Sequence, residues 1–156
     1  MDRINMSEKW EYRFMRLAFH VSEWSKDPST KVGAVITKGR HVVGMGYNGF
    51  PKGTMDDESI YLDRPVKYLR VVHAESNALI QAGKVVSSIT DPLTMYSTLC
   101  PCSTCAGMAI NAGIRHFVTM KPTDDQMNRW GDSFLESINM IQEAEIQITY
   151  LDSADI

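Results

Sequence analysis

Hydrophobic positions along this chain switch between a helical and a strand-like period, and the switches outline its elements. Trp10, Phe14, Leu17, Ala18, Val21 and Trp24 recur at helical spacing and predict an amphipathic helix from about Ser7 to Trp24. Ser7 suits the N-cap, and Glu8 and Glu11 place negative charge where the helix dipole favours it. Ser25-Lys26-Asp27-Pro28-Ser29 is turn chemistry and ends the helix. Lys31 to Thr37 reads as a buried strand, Lys38-Gly39-Arg40 as a hairpin turn, and His41 to Tyr47 as the partner strand. The stretch from Asn48 to about Pro65 is polar and too long for an ordinary connection. It is expected to be a functional loop or to contain short helical turns.

Further along, a helix is predicted to open at His73, run to about Gln81 and cap near Gly83. Leu93 to Thr98 follows as a strand. Cys102 to Ala112 reads as a helix closed by Gly113. Arg115 to Met120 is a strand, Met127 to Ala144 contains a helix, and Ile146 to Leu151 is a last strand. The order α-β-β-α-β-α-β-α-β places a hairpin ahead of a β-α-β-α-β run. That order predicts an α/β fold of three α-β-α layers, with a mixed five-stranded sheet and helices on both faces. No repeat, low-complexity tract or domain boundary interrupts it, so the 156 residues are read as one domain.

Composition narrows the setting. A hydrophobic content of 44% and a charged content of 22% are ordinary for a soluble globular protein. No apolar run approaches ~20 residues, so no membrane span is expected. Met1-Asp2-Arg3-Ile4-Asn5 lacks the apolar region of a signal peptide. Three cysteines, two in a metal-like spacing, suit a reducing compartment and hence the cytoplasm. A net charge of −3 argues against tRNA or DNA as the main substrate, because phosphate contacts dominate such binding. A mononucleotide needs only one local basic pocket.

The chemistry concentrates in His73-Ala74-Glu75 and Pro101-Cys102-Ser103-Thr104-Cys105. Together they offer an imidazole, two thiolates and a free carboxylate. Three such ligands hold Zn²⁺ and leave a fourth position for water, whose pKa falls from ~16 to about 7 on the metal. Cys102 and Cys105 are three apart, so they share a face at a helix start, where the dipole favours anionic ligands. Glu75 lies two residues past the histidine and can shuttle the proton. H-x-E followed by P-C-x-x-C is the signature of zinc-dependent nucleobase deaminases. Two other readings stay open: a closed structural site with Cys100 as fourth ligand, and a Cys-x-x-Cys redox pair.

Four stretches carry a family resemblance: Trp24 to Val35, Gly46-Tyr47-Asn48-Gly49-Phe50-Pro51, Val72 to Ala78, and Pro101 to Ala106. In these the chain resembles the deoxycytidylate (dCMP) deaminases of bacterial or phage type, in the cytidine deaminase superfamily. The resemblance implies the cytidine-deaminase-like fold and the zinc-dependent conversion of dCMP to dUMP and ammonia, feeding thymidylate synthesis in a bacterium or a phage-infected cell. It implies His73, Cys102 and Cys105 as ligands of one Zn²⁺ per chain. Some relatives hold a second, structural zinc in the loop before the histidine, but Asn48 to Val72 has no Cys or His for it. Glu75 is implied as the proton carrier. Ala74 and Cys100 are implied as substrate contacts, Cys100 through its backbone carbonyl. A homohexamer is implied too, with Gly46, Tyr47, Asn48 and Gly49 helping to form an effector site where dCTP with Mg²⁺ activates and dTTP inhibits.

Asn48 is then a candidate for the substrate sugar, the effector, or simply an αL turn beside Gly49. Lys26, Ser29, Thr30 and Lys31 are candidates for the substrate phosphate, or a solvated turn. His20, His41 and His116 are isolated, and Trp10 and Trp24 belong to a buried stripe or a subunit contact. The competing functions are another zinc deaminase, acting on a free base, a nucleoside or tRNA adenosine, and a non-catalytic zinc module.

Overall fold

The computed structural model describes residues 6–85 and 92–156, so the N-terminal pentapeptide Met1–Asn5 lies outside the described residues. Helix α1 spans Met6–Ser22. It starts one residue before Ser7, which is therefore inside the helix and not its cap. It also stops before Trp24. There the N–H groups of Glu23, Trp24 and Ser25 turn to the carbonyls three residues back, at His20, Val21 and Ser22, a tightening that ends α-helical pairing. Trp24 is consequently half exposed (50%) and not part of the buried stripe.

Strands β1 (Gly33–Lys38) and β2 (His41–Tyr47) form the hairpin. The polar stretch holds two short helices, α2 (Glu58–Leu62) and α3 (Arg64–Arg70). Asp63 caps α3 by accepting from Val66 N, with Pro65 in the first turn, where a missing N–H costs nothing. Helix α4 covers Ala74–Val85 and runs through Gly83, so the expected cap there does not form. A helical glycine costs ~1 kcal/mol, and burial of Ala74, Ala78 and Ala82 against the sheet outweighs it.

Strand β3 is Leu93–Ser97 and α5 is Ser103–Ala112, closed by Gly113 at φ 100°. Strand β4 is Ile114–Met120, α6 is Asp124–Glu143, and β5 is Gln147–Leu151. Helix α6 begins ahead of Met127 because Thr123 and Gln126 form a reciprocal capping box.

The sheet order is β2-β1-β3-β4-β5. β1 runs antiparallel to β2 and β3, and β3, β4 and β5 are mutually parallel. Alternation in β1 separates the two faces. Val35 meets Phe14, Met15 and Ala18 of α1, together with Tyr96 and Val118. Ala34 and Ile36 point the other way, to Ala74, Ala78 and Ala82 of α4, Ala106 and Ala109 of α5, and Ile141 of α6. Helices therefore cover both faces of a mixed five-stranded sheet.

The seating of α4 on β2 is unusually close and depends on two glycines. A Cβ at Gly44 would fall 2.5 Å from Ala78 O, and one at Gly46 would fall 2.5 Å from Ala78 N and press on Ala74 O. Gly46 is thus a packing residue whose Cβ side is covered by α4. We predict that Gly46→Val destabilises the fold by about 1–3 kcal/mol or more through overpacking. Denaturant unfolding measures this, and an unchanged midpoint would show that α4 can lift off without cost.

Candidate active site

His73 ends an extended segment pinned by a two-bond bridge, Gly49 N to Val72 O (3.1 Å) and Val72 N to Gly49 O (2.8 Å). Its own carbonyl accepts from Asn77 N, so His73 sits immediately ahead of α4. Cys102 is the N-cap of α5, where its sulfur accepts from Cys105 N. Two helix N-termini thus converge just past Ser97, the last residue of β3. The carboxyl ends of parallel strands are the usual place for ligand sites in α/β sheets.

The donor atoms meet. His73 Nδ1 is 3.5 Å from Cys102 Sγ and 3.4 Å from Cys105 Sγ, and the three atoms lie within 4.8 Å of one another. Tetrahedral zinc, with Zn–S of about 2.3 Å and Zn–N of about 2.0–2.1 Å, would separate N from S by roughly 3.6 Å. The residues therefore fit the ion. Among the described residues no other group of this kind is present. His20 and His41 are exposed, and His116 bonds Thr149 instead.

Cys100 stands apart. Its thiol is buried against Pro101 O, and burial, with Glu75 and Cys102 nearby, pushes its pKa up to about 12. Cys102 is held down at about 4 by hydrogen bonds with Cys105 and His73. The two cysteines differ as a neutral packing thiol and an anionic donor differ.

Glu75, only 4% exposed, is the buried carboxylate beside this group. Burial raises its pKa, against the hydrogen bond with Ser97. Ser97 Oγ lies 2.7 Å from Glu75 Oε1 and 2.7 Å from Leu99 O. One hydroxyl proton cannot serve two acceptors at once. When Glu75 is protonated, it can donate to Ser97 while Ser97 donates to Leu99 O. The geometry accommodates both protonation states.

A cavity of about 140 Å³ opens onto His73, Ala74, Glu75, Cys100 and Cys102. Asn48, Ser29 and Thr30 also line it. The amide of Asn48 is already engaged: Oδ1 accepts from Val32 N, and Nδ2 donates to Thr30 O, both at 2.8 Å. Asp27, not singled out from the sequence, holds the same loop by accepting from the Ser29 and Thr30 amides. Its second oxygen pairs with Lys67 at 2.7 Å, nearly out of solvent. Lys26 turns to Asp56 instead (2.8 Å), and neither it nor exposed Lys31 reaches the cavity wall. Tyr47 lies away from the cavity, edge-on to Trp24.

The opposite walls were not anticipated. They bring Arg64, Lys67 and Tyr68 from α3, Val71 from its C-cap, and Arg129, Trp130, Ser133 and Phe134 from α6. The spacing i, i+3, i+4, i+7 in the first set was a legible helix-face signal.

Residues 8–121 match the family described as "Cytidine and deoxycytidylate deaminase zinc-binding region". The chain belongs to that family. This deaminase is 38% identical over 146 residues to an uncharacterized deaminase of Aliivibrio fischeri, covering 94% of this chain and 96% of that one. It is 39% identical to a probable deoxycytidylate deaminase of Caenorhabditis elegans, covering 88% and 74% of the two chains. Among solved structures, the apo dCMP deaminase of the cyanophage S-TIM5 superposes with a TM-score of 0.72 at 25% identity, covering 94% of this chain and all (100%) of that one.

We predict that Cys102→Ser and Cys105→Ser each lose bound zinc, since a hydroxyl is a far weaker ligand than a thiolate. Cys100→Ser is predicted to keep it. Metal analysis of the purified variants decides the matter, and zinc loss from the Cys100 variant would favour a closed structural site.

Proposed function

We propose that this deaminase hydrolyses dCMP to dUMP and ammonia. The observation that carries the reading is a buried carboxylate, Glu75, lining one cavity with His73 and Cys102 of a three-donor metal group. The named relatives support the pyrimidine nucleotide as substrate. His73, Cys102 and Cys105 would hold Zn²⁺, which supplies Lewis acidity and an easily deprotonated water when bound. Glu75 accepts a proton from the attacking water and delivers it to the ring nitrogen N3. It then takes up the proton of the new C4 hydroxyl and passes it to the amine, which departs as ammonia as the C4–N bond breaks. Ser97 stores no proton but switches its hydrogen bond as Glu75 changes state. Cys100 and Ala74 line the cavity, and the Cys100 backbone carbonyl would orient the amine. Competing free-base, nucleoside and tRNA readings, and a non-catalytic zinc module, are separated by assaying dCMP, CMP and deoxycytidine side by side.

Glu75→Gln is expected to retain zinc and lose kcat by ~10²–10⁴-fold or more, because several proton transfers depend on one residue. Turnover at the unaltered rate would remove Glu75 from the mechanism, and loss of zinc would make it a ligand.

The same proposal includes regulation in a homohexamer, with dCTP and Mg²⁺ activating and dTTP inhibiting. Tyr47 (40% exposed), Trp24 and His20 form an aromatic cluster outside the cavity wall, which supports a second nucleotide site. The highly exposed Leu69 (88%) and Leu62 support subunit contacts. The effectors must favour opposite subunit arrangements, since a ligand shifts an equilibrium only by binding two states differently. Sigmoidal inhibition of dCMP turnover by dTTP, relieved by dCTP and weakened in Tyr47→Ala, is the expected result. Simple competition unaltered by Tyr47→Ala would place dTTP at the catalytic cavity alone.

A further inference from the structure

We propose that Arg64 and Arg129 make this enzyme select a nucleotide over its nucleoside, by holding a phosphate monoester at the cavity mouth. The inference rests on the deaminase reading above and names the groups that set its substrate class.

The cavity is graded in charge. At its reactive end lie Glu75 and two of the metal donors, His73 and Cys102, with Cys105 behind them. Along one wall lies the buried pair Asp27–Lys67, whose charges cancel at 2.7 Å, so Asp27 offers no net repulsion to an anion. Two exposed arginines on different helices also line the cavity, Arg64 of α3 and Arg129 of α6.

Neither of these charges is committed. Arg64 has no hydrogen bond or ion pair among the described residues. Arg129 has one weak partner, Asp125, at 3.6 Å and itself 78% exposed, a solvated pair of the kind that contributes little. The Arg129 guanidinium lies 4.4 Å from the Trp130 ring centre, which restrains its direction without using its charge. One unpaired guanidinium and one held only by a solvated pair match a phosphate monoester, which carries ~−1.5 to −2 at neutral pH and accepts bidentate donors. The chain as a whole is acidic, at −3, so this cationic pair runs against the average surface. The lysines on the other side of the cavity do not compete for the role, because Lys26 is paired with Asp56 and neither Lys26 nor Lys31 lines the cavity.

The test is steady-state kinetics of the zinc-loaded enzyme on dCMP and on deoxycytidine, with Arg64→Ala, Arg129→Ala and the double variant. Each single change is expected to cost about tenfold in kcat/KM for dCMP and the pair about 10²-fold, with the loss carried by KM. The preference for dCMP over deoxycytidine falls by the same factor. Lysine at both positions restores part of it, because charge survives while the planar fork does not. Calorimetric titration with dUMP reads the same arm without turnover, and its affinity is expected to drop at least tenfold in the double variant. A double variant that binds dUMP and uses dCMP like the unaltered enzyme overturns the proposal. An unaltered enzyme that binds dUMP through these arginines yet leaves dCMP intact would instead sink the deaminase reading.

Discussion

Everything at the reactive end depends on how closely two helix N-termini approach one another. His73 lies one residue before α4 and Cys102 caps α5, and their donor atoms stand 3.5 Å apart. That spacing is set from below. Gly44 and Gly46 let α4 press onto β2, and the Gly49–Val72 bridge fixes the strand that feeds His73. On the other side, Ser133 Oγ accepts from Ser103 N at 2.9 Å, joining the start of α5 to α6. Small residues, Ala74, Ala78, Ala106 and Ala109, make the close packing possible. The core chooses volume so that the site can have geometry.

Glu75 shows the other half of the design. A carboxylate this buried is costly when ionised, yet Ser97 offers it a partner in either protonation state. In the proposed mechanism a group so placed exchanges protons with only the Ser97 hydroxyl turning. Reorganisation avoided at the moment of reaction is a large part of what a preorganised site contributes.

Much of this was legible in the sequence, for physical reasons. A continuous apolar run such as Val32 to Ile36, which marks a strand buried on both faces, and a helix punctuated by Gly113, leave local signatures. The metal group was legible because its chemistry admits few residue types at few spacings. In the polar stretch after Asn48 the short helical turns were legible, as α2 and α3, but not their role: the face of α3 that lines the cavity carries a helical spacing without saying what it faces. Gly46 and Asn48 carried a family signal that says nothing of packing. In the fold Gly46 lies under α4, and the Asn48 amide is spent on Val32 and Thr30. The pairing of Asp27 with Lys67, 40 positions apart by the numbering, is a tertiary fact that no local pattern encodes.

The central claim is an open three-ligand metal centre made by His73, Cys102 and Cys105. X-ray absorption spectroscopy at the zinc edge of the purified protein tests it most directly. The account predicts one zinc per chain with two sulfur neighbours at about 2.3 Å and a shell of nitrogen and oxygen at about 2.0–2.1 Å, the latter shell partly exchangeable with solvent. A third sulfur in the first shell would bring Cys100 into a closed site and contradict the account.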